Sequence, residues 1–417
     1  MELVVINMNN LNSFKKEKKM KTKSILMTMI VFSLTVVFLS SIPVYAEEAR
    51  GVTDDTIRMG VIVDLTGPIA VNTIPYLEAV RNQFKYINEQ GGINGRKVKL
   101  IVEDDRYSIP RALAAFKKLM YRDRVLAILG PAGTSQTVAL SSQIDKLKVP
   151  VMTLSISKMW KEKKYIFIMA LPYEDGLRTI VDYIANDLGG KGSTIGFTTF
   201  DNDYGKNGLA SAKEQAKMYD IKIRNEVLNP GSIDATSQVL NLRRYKLKHV
   251  IAHQEIGSCV ALLRSARKFG FKASFFGGYA ASFDETVRLA GKSAKNFIGA
   301  HYINSWYDDS PGMAIVREVA EKYQPGKGLR NKFYTEGWVS SMVYAEAMKR
   351  TGKELSFETM VEAMEGFRDF DTKGVCPPIS FEKGNHIGGK HCRLFKANVE
   401  RGLLDPMTDW MKPRDIN

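Results

Sequence analysis

The stretch Gly130-Pro131-Ala132-Gly133-Thr134-Ser135-Gln136-Thr137 follows the apolar run Val125 to Leu129 and opens a segment of helical period that reaches about Lys146. A glycine-bearing turn between a buried strand and a helix start holds negative charge well, because the first helical N–H groups have no intrahelical acceptor and the positive end of the helix dipole lies there. The anion could be a phosphate, an acyl intermediate or a carboxylate. A phosphate-binding P-loop needs a lysine followed by Ser or Thr after its second glycine, and here Thr134-Ser135-Gln136 follows instead. No Gly-x-Ser-x-Gly nucleophile elbow occurs, and the first strand runs into Asp64-Leu65-Thr66-Gly67-Pro68 rather than a Gly-x-Gly-x-x-Gly fingerprint. What remains is a carboxylate held by backbone N–H groups and the hydroxyls of Thr134, Ser135 and Thr137. Ordinary helix capping by Thr134 or Ser135 is the alternative.

The other reactive groups are weaker candidates. Asp104-Asp105 and the Asp201/Asp203 pair sit where strands give way to turns, and capping and turn roles account for them. Tyr204, within Asp201-Asn202-Asp203-Tyr204-Gly205, could donate a hydrogen bond or cover an apolar ligand at the mouth of a sheet. Of the three cysteines, Cys259 falls on an apparent helix and reads as a small core residue. Cys376 and Cys392 flank what reads as a strand, a Gly-rich turn and a strand, so they are candidates for a disulfide closing that hairpin. His386 and His391 lie between them, but the spacing matches no tetrahedral zinc pattern. No catalytic residue, metal or cofactor is expected.

The elements that must position these residues alternate. Strand candidates at Ile57–Leu65, Lys97–Asp105, Val125–Leu129 and Val149–Ser155 are separated by segments with apolar residues on one helical face, such as Leu77, Val80, Phe84 and Ile87. The rhythm restarts after Leu171, with strands at Ser193–Phe200, Ile221–Leu228, His249–His253 and Ala273–Gly278 between helices. Strands joined by helical crossovers imply parallel sheets covered on both faces, and two such blocks imply two lobes sharing a cleft beyond the carboxyl ends of their strands. After about Tyr302 the pattern changes to long helices, which read as completing the first lobe.

The first 46 residues follow a different order: lysines from Lys15 to Lys23, an apolar run from Ile25 to Leu39, then Ser40 to Ala46. That order predicts a secretory signal with a cut at Ala46/Glu47 and Met20 as the natural start; an uncleaved membrane anchor over Ile25 to Ala46 is the alternative. The mature protein is therefore expected in the periplasm. Its removal takes six lysines and two glutamates and lowers the net charge from +15 to +11. The basic excess is dispersed, without the aromatic interleaving of a single-strand binder, so no nucleic-acid partner is expected.

Taken together, "IRMGVIVDLTGPIA", "YINEQGGINGRKVKLIVEDD", "AILGPAGTSQTVAL", "VPVMTLS", "DNDYGKNG" and "LLRSARKFGF" resemble the type I periplasmic binding proteins, specifically the branched-chain amino acid-binding group of ABC transporters. The resemblance spans the mature chain. It implies an α/β fold of two Rossmann-like lobes joined by a three-segment hinge, divided as 51–171 with 303–372 and 172–302 with 373–400, leaving 401–417 as a C-terminal tail. It implies a monomer that closes on a small ligand and passes it to a membrane permease without chemistry. A ligand sensor acting on a signalling partner would use the same two lobes and is the alternative. By the same resemblance, Thr134 and Ser135 bind the ligand carboxylate, assisted by Ser155 and Ser157, while Tyr204, Glu255 with Gln254, and Tyr279 face the cleft from the second lobe. Two departures stand out. The family places an acid at the position of Tyr279 to hold the ligand ammonium, which a neutral phenol cannot do unless Glu255 takes the role. The sequence Ser155-Ile156-Ser157-Lys158-Met159-Trp160 also replaces an alanine/threonine loop, placing Lys158 and Trp160 near the entrance. An amine-free carboxylate is therefore an alternative to an amino acid as ligand.

Overall fold

The computed structural model describes residues 15–20, 27, 50–328 and 330–415. The chain divides into two units, Met1–Glu48 and Ala49–Asn417. In the first unit the described residues are helical, and the rest of the expected signal, with its cut at Ala46/Glu47, lies outside the described residues. Among the described residues no helix is long and apolar enough to cross a membrane.

The second unit is built on two sheets. The first comprises β1 (Thr56–Val63), β2 (Lys97–Asp104), β3 (Ala127–Leu129), β4 (Val151–Met152) and β5 (Ile166–Phe167), all parallel in the order β2-β1-β3-β4-β5. Central β1 is buried from Met59 onward, as a strand covered on both faces must be. Between these strands lie α1 (Ala70–Glu89), α2 (Ile109–Lys117) and α3 (Thr134–Leu147), and α4 (Tyr173–Asn186) follows β5.

The second sheet starts with β6 (Thr194–Phe200), α5 (Asp203–Lys217), β7 (Lys222–Leu228), α6 (Thr236–Arg244), β8 (His249–Ala252), α7 (Ile256–Lys268), β9 (Ser274–Gly277), α8 (Asp284–Ala290) and β10 (Phe297–His301). Three helices then return to the first sheet: α9 (Pro311–Tyr323), α10 (Lys332–Arg350) and α11 (Phe357–Glu365), with α10 packed along α1. The contact is close because Gly337 presents no side chain; a Cβ there would stand 2.2 Å from the carbonyl oxygen of Tyr76. The chain finishes with β11 (Arg393–Asn398) and β12 (Leu403–Pro406), antiparallel additions that complete the order β12-β11-β10-β9-β8-β6-β7.

Three expectations about the C-terminal region are corrected. Residues 376–398 are not one hairpin: Ile387 bridges Ile168 beside the first sheet, and only β11 joins the second. Cys376 is therefore fixed by Thr372 while Cys392 pairs its backbone with Met411, and both are free, buried thiols rather than a disulfide. Burial pushes both thiols up to about 12. Residues 401–417, expected as a tail, supply β12, and the N–H of Arg414 donates to Asp182 on α4.

Candidate functional site

The carboxyl ends of both sheets face one cavity enclosing about 530 Å³ of atom-free space, part of it open to solvent. Thr134, Ser155, Tyr204, Glu255 and Tyr279 all line it; Ser135 and Ser157 do not. Six aromatic side chains form much of the wall: Tyr107, Tyr173, Phe200, Tyr204, Tyr279 and Phe333. Glu255 is the one ionisable carboxylate, and no lysine or arginine joins it among the described lining residues.

One end is built by the turn into α3. Gly130, at φ +98, fits its Cα against the carbonyl of Ile62, where a Cβ would stand 1.9 Å from the oxygen. Gly133 is the N-cap residue of α3 and no side chain caps the helix, so neither Thr134 nor Ser135 is spent on that task. The Thr134 and Ser155 hydroxyls lie 2.8 Å apart, and the indole N–H of Trp160 donates to Ser155 Oγ at 3.2 Å. Trp160 is 1% exposed, so this donor is fixed in the core rather than at the entrance, while Lys158 is exposed to solvent. Thr137 is turned away and bonds Thr153 at 2.9 Å. Ser157 donates to Glu174, whose other oxygen accepts from the N–H of Lys158 at 3.0 Å. Burial pushes Glu174 up to about 7. Ser157 thus braces the loop from behind instead of reaching the cavity.

The opposite wall is aromatic. Tyr204, at the start of α5, stacks on His253 with ring centroids 3.8 Å apart, and its carbonyl accepts from His253 Nε2 at 3.0 Å. Burial pushes His253 down to about 3, so this imidazole is neutral. Tyr173 meets Tyr204 edge-on at 4.8 Å. The hydroxyls of Tyr173 and Tyr204 are buried without a protein partner, a costly state that a ligand's polar groups would relieve. Glu255 is the N-cap residue of α7: its carboxylate accepts from the N–H groups of Ser258 at 2.7 Å and Gly231 at 2.9 Å, and from the Ser258 hydroxyl. These three donors fix its carboxylate in place as part of the cavity wall. Tyr279 donates its hydroxyl proton to Glu336 Oε2 at 2.7 Å.

Several lining residues escaped sequence reasoning. Tyr107 enters from the loop after β2 at φ +55, with its N–H held by Asp105 at 3.0 Å. A left-handed tyrosine beyond a strand end is the kind of strained position that clusters at ligand sites. The preceding Asp104 accepts from the N–H of Leu65 and the Thr66 hydroxyl, so this acidic pair shapes loops, as its turn context suggested. Asn202 likewise caps α5 through Gly205. Among the described residues no cluster of His, Cys, Asp and Glu could hold a metal ion.

The periplasmic binding protein family model matches residues 56–402. The chain is similar to the leucine-, isoleucine-, valine-, threonine-, and alanine-binding protein of Pseudomonas aeruginosa, 24% identical over 347 residues that cover 78% of this chain and 89% of the relative. Its fold is similar to that of a branched chain amino acid ABC transporter protein from Thermus thermophilus with bound valine (TM-score 0.80, 22% identity, 86% of this chain and 97% of that one). It is equally similar to a fatty acid ABC transporter substrate-binding protein from Thermomonospora curvata (TM-score 0.79, 21% identity, 89% and 96%).

Proposed function

The chain belongs to the periplasmic binding protein family, and from that premise we propose that it is the extracytoplasmic substrate-binding component of an ABC importer, closing on a small carboxylate-bearing ligand and delivering it to the membrane permease. The observation that carries this reading is the cavity itself, shared by the carboxyl ends of two sheets, with uncapped helical N–H groups and two hydroxyls at one end and an apolar, aromatic body. An anion there is held by dipoles and hydroxyls instead of a buried cation, which avoids desolvating a second charge. The family binds solutes without transforming them, and no catalytic role is assigned to any residue.

We draw the first lobe as residues 51–171 with 303–372 and the second as 172–302 with the C-terminal strands. Thr134 and Ser155 stand on the first and Tyr204 and Tyr279 on the second, so a ligand touching both would favour the closed arrangement. We further assign Thr134 and Ser155 to the carboxylate, and Tyr204 and Tyr279 to the remainder of the ligand; Ser135 and Ser157 are left out because neither reaches the cavity. The relatives' named ligands, branched-chain amino acids and a fatty acid, share a carboxylate on an apolar body. A signal cleaved at Ala46/Glu47 would deliver a monomer to the periplasm.

The test is a thermal-shift screen of amino acids and amine-free acids, because a ligand bound only by the folded state raises the melting temperature. Carboxylates of leucine size should stabilise the protein and their amides should not. Equal stabilisation by acid and amide would remove the carboxylate from the reading.

A further inference from the structure

Three buried polar atoms of residues lining the cavity have no hydrogen-bond partner in the protein: Asn72 Oδ1 and the hydroxyls of Tyr173 and Tyr204. None of these residues is more than 9% exposed. Unpaired polar atoms so deep in the fold cost stability that an occupant of the right chemistry restores. We propose that this occupant is a hydroxyaryl carboxylate, an aromatic acid whose ring hydroxyl, remote from the acid, is read by Asn72 and Tyr204. The proposal rests on the solute-binding reading above and deepens it by naming the body and the far end of the ligand.

The three atoms fall at two places. The Tyr173 hydroxyl is approached by the side chains of Thr134 and Ser157, so it joins Thr134 and Ser155 at the carboxylate end. Asn72 and Tyr204 come together at Ala280: Asn72 Nδ2 is directed to the Ala280 carbonyl at 3.4 Å, and the Ala280 N–H approaches the Tyr204 hydroxyl. With its Nδ2 so placed, Asn72 has only an acceptor left to offer, while the proton of Tyr204 is uncommitted. An acceptor beside a donor is the complement of a hydroxyl, which gives one proton and takes another. An ammonium would answer Asn72 and leave the Tyr204 proton without an acceptor; a second carboxylate would do the reverse.

The aromatic wall favours a ring as the body that joins the two groups. Three of its rings are packed from behind by another ring: Tyr204 on His253 with centroids 3.8 Å apart, Phe333 on Phe283 at 4.1 Å and Tyr279 on Tyr302 at 5.7 Å. Tyr173 meets Tyr204 edge-on, as Phe333 meets Tyr279 at 5.9 Å. Side chains held this way keep their orientation and cannot turn to follow a flexible chain. A planar ring gains offset or edge-to-face contacts against such surfaces. It also enters with few torsions to freeze, whereas an aliphatic acid of the same size gives up rotamer freedom on binding.

The test is titration calorimetry on the mature chain at neutral pH with para-hydroxybenzoate, para-hydroxyphenylacetate and para-hydroxyphenylpropionate. Each is paired with the acid lacking the ring hydroxyl and with that acid's cyclohexyl counterpart, and leucine and octanoate serve as aliphatic comparisons. At least one hydroxyaryl acid should bind. Its unhydroxylated partner should bind about tenfold more weakly, because Asn72 and Tyr204 then stay unpaired. The cyclohexyl acid should lose about a further fivefold with the ring contacts. Asn72→Leu should erase the preference for the hydroxyl, the two aryl acids then binding alike; an equal loss for both, with the preference intact, overturns the assignment of Asn72. The inference as a whole is overturned if the hydroxyl brings no gain in the unaltered chain, or if a cyclohexyl acid, leucine or octanoate binds more tightly than every hydroxyaryl acid; either result leaves the carboxylate reading standing. If no acid of the set binds, both fall. Since the preference is read first on the unaltered protein, misfolding of a variant cannot obscure the outcome.

Discussion

The two ends of the cavity solve opposite problems with opposite means. At the α3 end the groups facing the cavity are ones that cannot titrate: helical N–H groups and hydroxyls, oriented by the indole of Trp160 and by Ser157 tied to Glu174. At the Tyr279 end a buried acid, Glu336, stands one residue behind the cavity wall, bonded to Tyr279 and wrapped in Tyr302, His301 and Lys332. Fixed dipoles serve a ligand group that is always charged the same way, because they need no reorganisation. A buried acid kept neutral by desolvation avoids leaving an unpaired charge in the core.

That contrast can be broken at either end. The largest effect is expected from Thr134→Val, which deletes a hydroxyl from the anion end while keeping its shape; affinity for every bound carboxylate should fall by about 2 kcal/mol, with or without an amine, as calorimetry would show. A loss confined to amino acids would mean that the hydroxyl does not serve the carboxylate. A comparable effect should appear in stability against pH. Glu336 and Glu174 keep in the folded state protons that the unfolded chain loses near pH 4.5, up to about 8 and about 7 respectively. They favour folding fully below the ordinary carboxylate range, and that contribution is lost as pH rises toward those values. Glu336→Gln should therefore recover on the order of 2 kcal/mol at pH 8 relative to pH 5 in urea unfolding. His253 acts in the reverse sense: held neutral down to about 3, it removes stability as pH falls below about 6.5.

Trp160→Phe is a smaller perturbation. It removes the donor that fixes Ser155, so carboxylate affinity should fall by about 1 kcal/mol, and because the indole is buried in the core the smaller ring should also lower the melting temperature. Tyr204→Phe should separate folding from binding: its hydroxyl lacks a partner in the empty site, so the variant should be no less stable than the parent by thermal unfolding, while losing up to about 1 kcal/mol of ligand affinity. The smallest expected effect is none. Cys376 and Cys392 are free and separately anchored, so a thiol reductant should leave the melting temperature unchanged.

What could be read from the sequence followed its periodicity. The run from Ile57 to Val63, the strand ending at Asp104 and the Gly130 turn all announce themselves, because a buried parallel strand is continuously apolar and a glycine turn is short-range chemistry. Thr134, Ser155, Tyr204, Glu255 and Tyr279 were placed at the cavity by matching motifs, and the structure brings them together there. Their individual tasks were less legible. Glu255 and Ser157 look identical in sequence whether they face a ligand or a neighbouring N–H, and the geometry gives both to the protein itself. Tyr107 and Tyr173 stand in loops or at a helix start, where periodicity carries no information. Glu336 was hidden differently: its helical face reads Phe333, Glu336, Gly337, Ser340, a mixed stripe whose burial becomes visible only once Tyr76 is seen against Gly337. The cysteine hairpin failed because backbone pairing between Ile387 and Ile168, far apart in the chain, outweighed a local turn signal.

The C-terminal ribbon bears on the order in which the molecule can be assembled. Until Arg393 to Pro406 have been synthesised, β10 is a bare edge with unpaired amides, and α4 lacks the clasp that Arg414 provides through Asp182. The second sheet is thus closed by strands made only after every other strand of both sheets, so its β10 edge stays open, and the fold pliable, while the three helices that return to the first sheet are being synthesised.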